Sequence, residues 1–389
     1  MTERGQPRVS VITATYNGTP FLSTAIESVL AQSFEDFEYL VVDDASTDES
    51  AEIVAAMARR DRRVRLIRVN VNLGPAGALN RAMALVRGEY VAVLDHDDLA
   101  LPERLARQVD FLDSHAEVGA VGAQVRTIDS AGIPIECWHY PTHPAGARWE
   151  LLFGASLLHS ASMFRHALLV RLGGYSERHS YLCDYEQLVR LAEVSQVTNL
   201  PEELACYRES TTQVSAGHRR RQYGQALLLQ YAVQRRWLGL RPDLGVFATL
   251  YHWGRGIAPA SAAMATPAME LLESIYRRYC DLIPLPDSDR AAVDSRCARR
   301  WLRMAHHAYH ALRGASRSCW LQARRLDPHS THLPSAHAIL QKRRAAFDPA
   351  RSLPLPDHRE PRCTTAQSSI SGASGSSGLT TAMVRRWIR

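Results

Sequence analysis

The sequence predicts an α/β fold: an open, mostly parallel sheet with helices on both faces, followed by a basic α-helical region and a low-complexity tail. Three observations carry that expectation. Strand and helix patterns alternate four times before residue 110. Three of the four strands end in clusters of polar side chains. Beyond residue 218 apolar positions recur at helical spacing only, until Pro, Ser, Gly and Thr take over at 349–381. The expected division is 1–217, 218–348 and 349–389, with the last segment disordered.

Residues 8–15 (RVSVITAT) are β-branched and apolar, and Tyr16-Asn17-Gly18 closes them with turn chemistry. Phe21, Leu22, Ala25, Ile26, Val29 and Leu30 then recur at helical spacing over 20–32. A second strand, 37–42, runs into Asp43-Asp44. Ser46-Thr47-Asp48 offers a cap, and 48–60 reads as helix. Residues 64–69 form a third strand, 75–87 a helix after Asn72-Leu73-Gly74, and 90–94 a fourth strand ending at Asp95-His96-Asp97-Asp98. Short strands are expected near 119–128 and 196–208, with a helix at 184–194. Further helices are expected at 221–238, 264–282, 290–313 and 317–326, separated in part by Gly254, Pro259, Pro284, Pro286 and Pro334. Ligands of such sheets bind beyond the carboxyl ends of the strands, so the polar strand ends should converge on one crevice.

With 389 residues, 46% hydrophobic and 22% charged, the composition is that of a globular chain. No run approaches the roughly 18 apolar residues of a membrane span. The opening MTERGQPRVSVITATYNG lacks a basic-then-apolar leader, so no signal peptide is expected. Seven scattered cysteines without a C-x-x-C pair argue against a disulfide framework or a structural zinc. Together these features predict a cytoplasmic protein. The net charge of +6 conceals an asymmetry: residues 1–217 hold 29 acidic and 19 basic side chains, residues 218–389 hold 11 and 27.

Asp95, Asp97 and Asp98 place three carboxylates within four residues at a strand end. Their mutual repulsion is relieved by a cation. Oxygen-only ligation suits Mg²⁺ or Mn²⁺, which also bind substrate phosphates. Asp98 can alternatively cap the helix that starts near Pro102. A carboxylate of Asp43-Asp44 can accept hydrogen bonds from a base N–H or from ribose hydroxyls, or serve a helix N-terminus. No G-x-G-x-x-G follows the first strand and no P-loop motif occurs, which removes the main support for dinucleotide and P-loop folds.

The segments VSVITATYNG (9–18), YLVVDDASTDES (39–50), NLGPAGALNRA (72–82) and GEYVAVLDHDDLALP (88–102) resemble the nucleotide-binding half of glycosyltransferase family 2. HSASMFRH (159–166), LGGYSE (172–177), CDYEQLVRLAE (183–193) and LACYRES (204–210) are similar to its acceptor half. The resemblance spans residues 8–215 in order. It implies a GT-A fold, a nucleotide-sugar donor, a divalent cation (Mn²⁺ or Mg²⁺) and inversion at the anomeric centre. It further implies that Thr13, Tyr16 and Asn17 line the base pocket and that Asp43 or Asp44 contacts the base, uracil being the commonest. Gly74 would let the chain pass close to the nucleotide, and Arg81 would approach the base or diphosphate. Asp95-x-Asp97 matches the family's D-x-D motif, with Asp97 the metal ligand and Asp95 on the ribose or the metal shell. Asp184 matches the catalytic base. His159, Asp98, Glu186 and Arg208 are the further candidates for the donor or acceptor site.

Sugar transfer needs a stabilised leaving diphosphate and an activated acceptor hydroxyl. A cation on one side and a carboxylate base on the other fit direct displacement. Asp184 also stands where a plain helix N-cap would, and Glu186 is a competing base two residues on. Two positions depart from the family pattern. Cys183 precedes the base aspartate where an acidic residue is usual. Ser210 follows Tyr207-Arg208-Glu209 where a histidine is usual as a further metal ligand, which leaves Glu209, His218 or water to complete the shell. Val233-Gln234-Arg235-Arg236-Trp237 resembles the Q-x-x-R-W motif of processive synthases with the glutamine one position late. A basic amphipathic helix with a buried tryptophan explains that segment better.

Arg219-Arg220-Arg221, Arg299-Arg300, Arg324-Arg325 and Lys342-Arg343-Arg344 are interleaved with Trp237, Trp301 and Trp320. They can meet anionic lipid head groups on the inner membrane face, or form solvated faces that dock on the acidic first half. No nucleic-acid partner is expected, since no recognition fold is apparent. The expected function is transfer of a sugar from a nucleoside-diphosphate donor, UDP by the family's commonest choice, to the hydroxyl of a sugar, lipid-linked or protein acceptor. The expected setting is assembly of a cell-surface polysaccharide or glycoconjugate. One alternative is a catalytically degenerate, transferase-like binding module, for which Cys183 and Ser210 speak. Another is a sugar-nucleotide nucleotidyltransferase, which should carry a Gly-rich basic loop after the first strand where this chain has TYNGTP.

Overall fold

The computed structural model describes residues 6–179, 181–210, 219–309 and 312–328, all within the compact unit Met1–Leu333. His218, the Lys342-Arg343-Arg344 run and the tail expected at 349–389 lie outside the described residues, as do the side chains of Arg219 and Arg220.

Strands β1 (Val9–Thr15), β2 (Phe37–Asp43), β3 (Val64–Arg68) and β4 (Tyr90–Val93) are parallel neighbours. The sheet continues through β5 (Leu99–Ala100), β6 (Val118–Ile128), β7 (Pro134–Trp138), β8 (Met163–Arg165) and β9 (Gln196–Arg208). The strand order is β3-β2-β1-β4-β8-β6-β9-β5, with β7 paired to β6. The first four strands stand as the sequence pattern predicts. The second half is mixed, because β8 runs antiparallel to β4 and β6, and β5 antiparallel to β9. β5 and β8, of two and three residues, are too short to show a period, and β7 buries none of its five residues, so none of the three leaves a signature in the sequence.

Alternate residues of the central strands face opposite layers. Val9, Val11, Tyr39 and Val41 pack against α1 (Thr19–Leu30), α2 (Ser50–Arg60) and α4 (Arg104–Ser114). Ile12, Leu40, Val42 and Val93 pack on the other side with α3 (Gly74–Met83), α5 (Pro144–Glu150), α6 (His166–Arg171) and α7 (Cys183–Leu191). At the end of the sheet remote from the polar strand termini, buried Glu38 of β2 accepts from Ser10 Oγ at 2.7 Å and from Arg87 Nη2 at 2.7 Å. That carboxylate ties β1, β2 and the segment entering β4 together.

The helical region comprises α8 (Arg219–Leu238), α9 (Leu244–Trp253), α10 (Ala262–Leu282), α11 (Asp287–Ala308) and α12 (Arg313–Leu326). Helix α9 has no counterpart in the sequence reading. It buries Phe247, Leu250, Tyr251 and Trp253 with little polar contrast, so no amphipathic stripe announces it, though Asp243 caps its first amides. Helices α8–α12 share one continuous apolar cluster with the α3–α5–α7 face of the sheet. Its centre is Trp149, fully buried and edge-on to Tyr279 at 5.2 Å and Tyr276 at 6.2 Å. Around the apolar centre runs a polar seam. Arg300 pairs with Glu150 at 3.1 Å and Arg236 with Glu193 at 2.6 Å. The Val233–Trp237 segment belongs to this seam: Gln234 Nε2 donates to Leu152 O at 2.9 Å, and Trp237 Nε1 to Glu193 at 2.9 Å. Trp237 is half-buried rather than buried, with the Arg148 guanidinium 5.1 Å from its ring. Among the described residues no helix is long and apolar enough to cross a membrane.

Candidate functional site

The carboxyl ends of β1, β2 and β4 meet at one crevice, and side-chain hydrogen bonds stitch their loops together. Asn17 turns the chain after β1 at φ 52°, a left-handed conformation that asparagine tolerates. Its Oδ1 accepts from Thr47 N at 2.9 Å, and its own amide donates to Ser46 Oγ at 3.0 Å. A Cβ at Gly18 would lie 2.7 Å from His96 Cδ2 and also strike Thr15 Oγ1, so glycine is what lets the β1 turn touch the acidic loop. Thr15 and Asp43 are register partners across β1 and β2. Thr15 Oγ1 and Asp43 Oδ2 are buried polar atoms with no hydrogen-bond partner among the described residues. Arg68 Nε stands 3.7 Å from Asp43 Oδ2, beyond good hydrogen-bond reach. Two adjacent unsatisfied atoms at the strand ends suit the polar edge of a ligand.

The structure separates the two carboxylates of Asp43-Asp44. Asp44 accepts from Leu73 N at 2.8 Å and Gly74 N at 2.9 Å, so it caps the start of α3 and is not open to a base. Burial pushes its carboxyl up, and those two amides pull it part of the way back. Thr13 is corrected as well. Its Oγ1 donates to Leu94 O at 2.6 Å and bonds Tyr39 OH at 2.8 Å, and the residue is wholly buried, two positions short of the strand end. Tyr16 is half-exposed at the crevice mouth. Gly74 opens α3 at φ 74°, so a backbone conformation favouring glycine explains it without a nucleotide. Arg81 is exposed on α3 and makes no hydrogen bond or ion pair among the described residues.

Ser160, His159 and Arg208 fix the acidic loop after β4. Asp95 N donates to Ser160 Oγ at 2.9 Å. Its half-exposed carboxylate lies 4.0 Å from His159 Nδ1, whose Nε2 is 3.0 Å from Tyr175 OH. Asn80 of α3 holds the Tyr175 backbone through both its amide and its carbonyl, at 2.8 and 2.9 Å. Burial lowers the His159 pKa, which favours the neutral ring. Asp98 is buried; Oδ1 accepts from Arg208 N at 2.8 Å, and the Ser160 hydroxyl lies on the same carboxylate. The Arg208 side chain donates to Asp97 O at 2.9 Å and Asp129 O at 3.1 Å and stacks 4.5 Å from the Phe21 ring. Asp98 and Arg208 therefore fasten the loop to β9. Desolvation within the crevice and the neighbouring Asp97 raise the Asp95 carboxyl, and burial with both neighbouring carboxylates pushes Asp98 well above the carboxylate range. Beneath the loop, Arg104 is buried and donates to Val93 O at 2.7 Å and Ser162 O at 3.1 Å. Burial pulls its pKa down to about 10 while Asp98 and Asp95 favour its charged form, so it is a built-in counter-charge.

Across the crevice Asp184 occupies the first turn of α7. The helix is capped at Leu182 with no side-chain bond, and the Asp184 carboxylate makes no hydrogen bond or ion pair among the described residues. A plain N-cap role is thereby removed. Asp184 is close enough to act electrostatically on Asp95, His159, Tyr140 and Tyr175. Glu186, the competing base, has both oxygens on Arg190 at 2.8 Å, and Arg190 is anchored in turn on Leu172 O and Gly174 O. It is a structural ion pair, not an available base. Cys183 is buried, and burial pushes its thiol up, away from the thiolate form. Among the described residues no group of three metal-ligating side chains comes together. Glu209 is exposed, its amide donating to Ile128 O at 2.8 Å. Two clefts of about 170 and 350 Å³ lie elsewhere, the first between α5 and α10, the second beside Arg235 and Arg241.

The Glycosyl transferase family 2 model matches residues 10–173, from β1 through the acidic loop and His159 to α6. The chain carries a glycosyltransferase family 2 domain. The domain is 43% identical over 119 residues to the succinoglycan biosynthesis protein ExoO of Rhizobium meliloti, covering 31% of this chain and 32% of that one. Protein y4gI of Sinorhizobium fredii is 30% identical over 224 residues, covering 56% of this chain and 24% of the other. The chain spans between a quarter and a half of the length of the first curated relatives it matches. Among solved structures, S. aureus TarS 1-349 in complex with UDP-GlcNAc aligns with a TM-score of 0.50 at 16% identity, covering 86% of this chain and 92% of that one. That likeness is one of fold: the glycosyltransferase domain has the GT-A architecture followed by helices.

The sequence reading missed several residues of the glycosyltransferase domain's crevice. Thr15 belongs to the polar end expected for the first strand but is not among the residues assigned to the base pocket; the register with Asp43 places it, and not Thr13, at the end of β1. Arg104 lies on the apolar stripe of α4 with Leu105, Gln108, Val109 and Leu112, a misplaced charge that the helical period could have flagged. Ser160, Tyr175 and Asn80 act through contacts between distant segments and carry no local signal.

Proposed function

We propose that the glycosyltransferase domain moves a sugar from a nucleoside-diphosphate donor, UDP first, to an acceptor hydroxyl with inversion, in assembly of a surface polysaccharide or related glycoconjugate. One observation carries the reading: the free carboxylate of Asp184 stands within electrostatic reach of the Asp95–Asp97 loop. The name of the succinoglycan relative supports the pathway, and the UDP-GlcNAc held by TarS supports UDP as the first nucleotide to test.

Asp43 Oδ2 would accept from a base N–H, with Thr15 Oγ1 beside it. Asp95 and Asp97 fit a hard divalent cation. Both are oxygen donors, and Asp97 adds to the desolvation that raises the Asp95 carboxyl, a charge pairing that a divalent cation would favour. Mg²⁺ or Mn²⁺ bound there, with donor phosphates and water as remaining ligands, would neutralise charge on the departing diphosphate. Ser160 and His159 hold Asp95 in place, and Arg208 holds the Asp97 backbone. Asp184 would take the proton of the acceptor hydroxyl as its oxygen attacks the anomeric carbon, a role worth about 10²–10⁴ in rate. Peripheral attachment to the inner face of an anionic membrane, through the basic C-terminal half, belongs to the same reading.

Calorimetric titration of UDP, GDP and dTDP, with and without Mn²⁺, tests it on wild type and Asp97→Ala. Metal-dependent binding of one nucleotide, lost in the variant, is the expected result. Absence of binding under every condition would overturn the reading in favour of a degenerate module.

A further inference from the structure

The basic residues of the C-terminal half fall into two groups. Arg236 and Arg300 are engaged in the seam with Glu193 and Glu150. Helix α12 is different. Ser316, Cys319 and Ala323 face inward, where α12 packs on α10 and α11. Arg313, Arg317, Trp320 and Arg324, at i, i+4, i+7 and i+11, form one outward stripe, with Leu321 beside it. Trp320 is 41% and Leu321 52% exposed, and the Arg324 guanidinium lies 5.0 Å from the Trp320 ring. The helix contains no acidic residue. Among the described residues Glu273 of α10 reaches Arg325, at 4.0 Å, and none of the stripe arginines.

We infer that this face of α12 docks on an anionic lipid bilayer. Arg313, Arg317 and Arg324 meet head-group phosphates, while Trp320 and Leu321 enter the boundary between head groups and acyl chains. The apolar pair decides between a bilayer and a soluble polyanion. Phosphates on a nucleic acid would satisfy the arginines equally, but Leu321 gains free energy only where it leaves water. The inference deepens the membrane attachment proposed above and rests on it. It is independent of the donor chemistry.

The test is co-sedimentation of the full chain with vesicles of phosphatidylglycerol mixed with phosphatidylcholine, against phosphatidylcholine alone. Binding that requires phosphatidylglycerol and weakens with salt is expected. Replacing Arg313, Arg317 and Arg324 together by Gln should weaken partition about a hundredfold. Trp320→Ser with Leu321→Ser should weaken vesicle binding while leaving retention on heparin as in wild type. Circular dichroism and UDP titration on each variant show that the fold and the donor site are intact. Three results overturn the inference: no phosphatidylglycerol-dependent binding, undiminished partition of the arginine variant, or a Trp320/Leu321 variant that binds vesicles like wild type. A wild type that partitions onto vesicles but binds no nucleotide sinks the transfer reading and leaves this one standing.

Discussion

Adjacent carboxylates in this protein have different tasks, and the backbone amides around them decide which. Asp44 accepts two amides of the α3 start, whereas Asp43 keeps one buried oxygen unsatisfied. Asp43→Asn should therefore weaken UDP binding by about tenfold to a hundredfold with an unchanged melting temperature, since a bond to a charged group is worth roughly 1.5–3 kcal/mol. Asp44→Ala should do the reverse: lower the melting temperature by loss of a cap worth about 1 kcal/mol, and affect nucleotide affinity less. Calorimetry and thermal melts on the two variants check both halves. The same logic separates Asp184 from Glu186. Once the donor is known, Asp184→Asn should reduce turnover about 10²–10⁴-fold with donor affinity retained, and Glu186→Gln should leave turnover near wild type. The sequence made the acidic clusters legible, because D-D and D-x-D-D after apolar runs are conspicuous. It left the division of labour illegible, because the amides of Leu73, Gly74 and Arg208 lie 29, 30 and 110 positions away.

At the scale of elements, Glu38 shows how the sheet holds its crevice from the opposite end. Burial pushes its carboxyl up, and hydrogen bonds from Arg87 and Ser10 more than offset that, leaving it below the usual glutamate range. A folded-state value below the unfolded one contributes stability that is fully present above the unfolded pKa. That stability is lost as pH falls through the folded pKa. The stability gap between wild type and Glu38→Gln should accordingly shrink on acidification from neutral pH, which urea titrations at stepped pH measure. A constant gap would remove this account of the clamp. The β1–β4 half was legible because its strands are apolar, end in turn residues and alternate with amphipathic helices. Helix α9 was not, since Phe247, Leu250, Tyr251 and Trp253 leave no polar face to set the period. The short β5, β7 and β8 exist only because longer neighbours offer them edges.

At the scale of the molecule, the helical region and the sheet share a core centred on Trp149. Trp149→Ala should cost about 3–5 kcal/mol and lower one cooperative thermal transition, not one of two. Two separate transitions, with only the later shifted, would show that sheet and helices fold independently. The charge asymmetry between the halves was plain in the sequence, and part of it is spent where Arg236 and Arg300 meet Glu193 and Glu150. Which arginines join that seam and which face outward depended on helix packing and could not be read from composition.

The shared core also bears on modularity. A cut after β9 looks natural in the sequence, where strands stop and helices begin. Such a cut would strip Trp149 of Tyr276 and Tyr279 and leave Glu150 and Glu193 without their arginines. A catalytic sheet grafted onto foreign helices would inherit an unmatched apolar face, and a chimera would have to carry α5 and its partners across the junction. The exchangeable piece is the sheet with its helical cover.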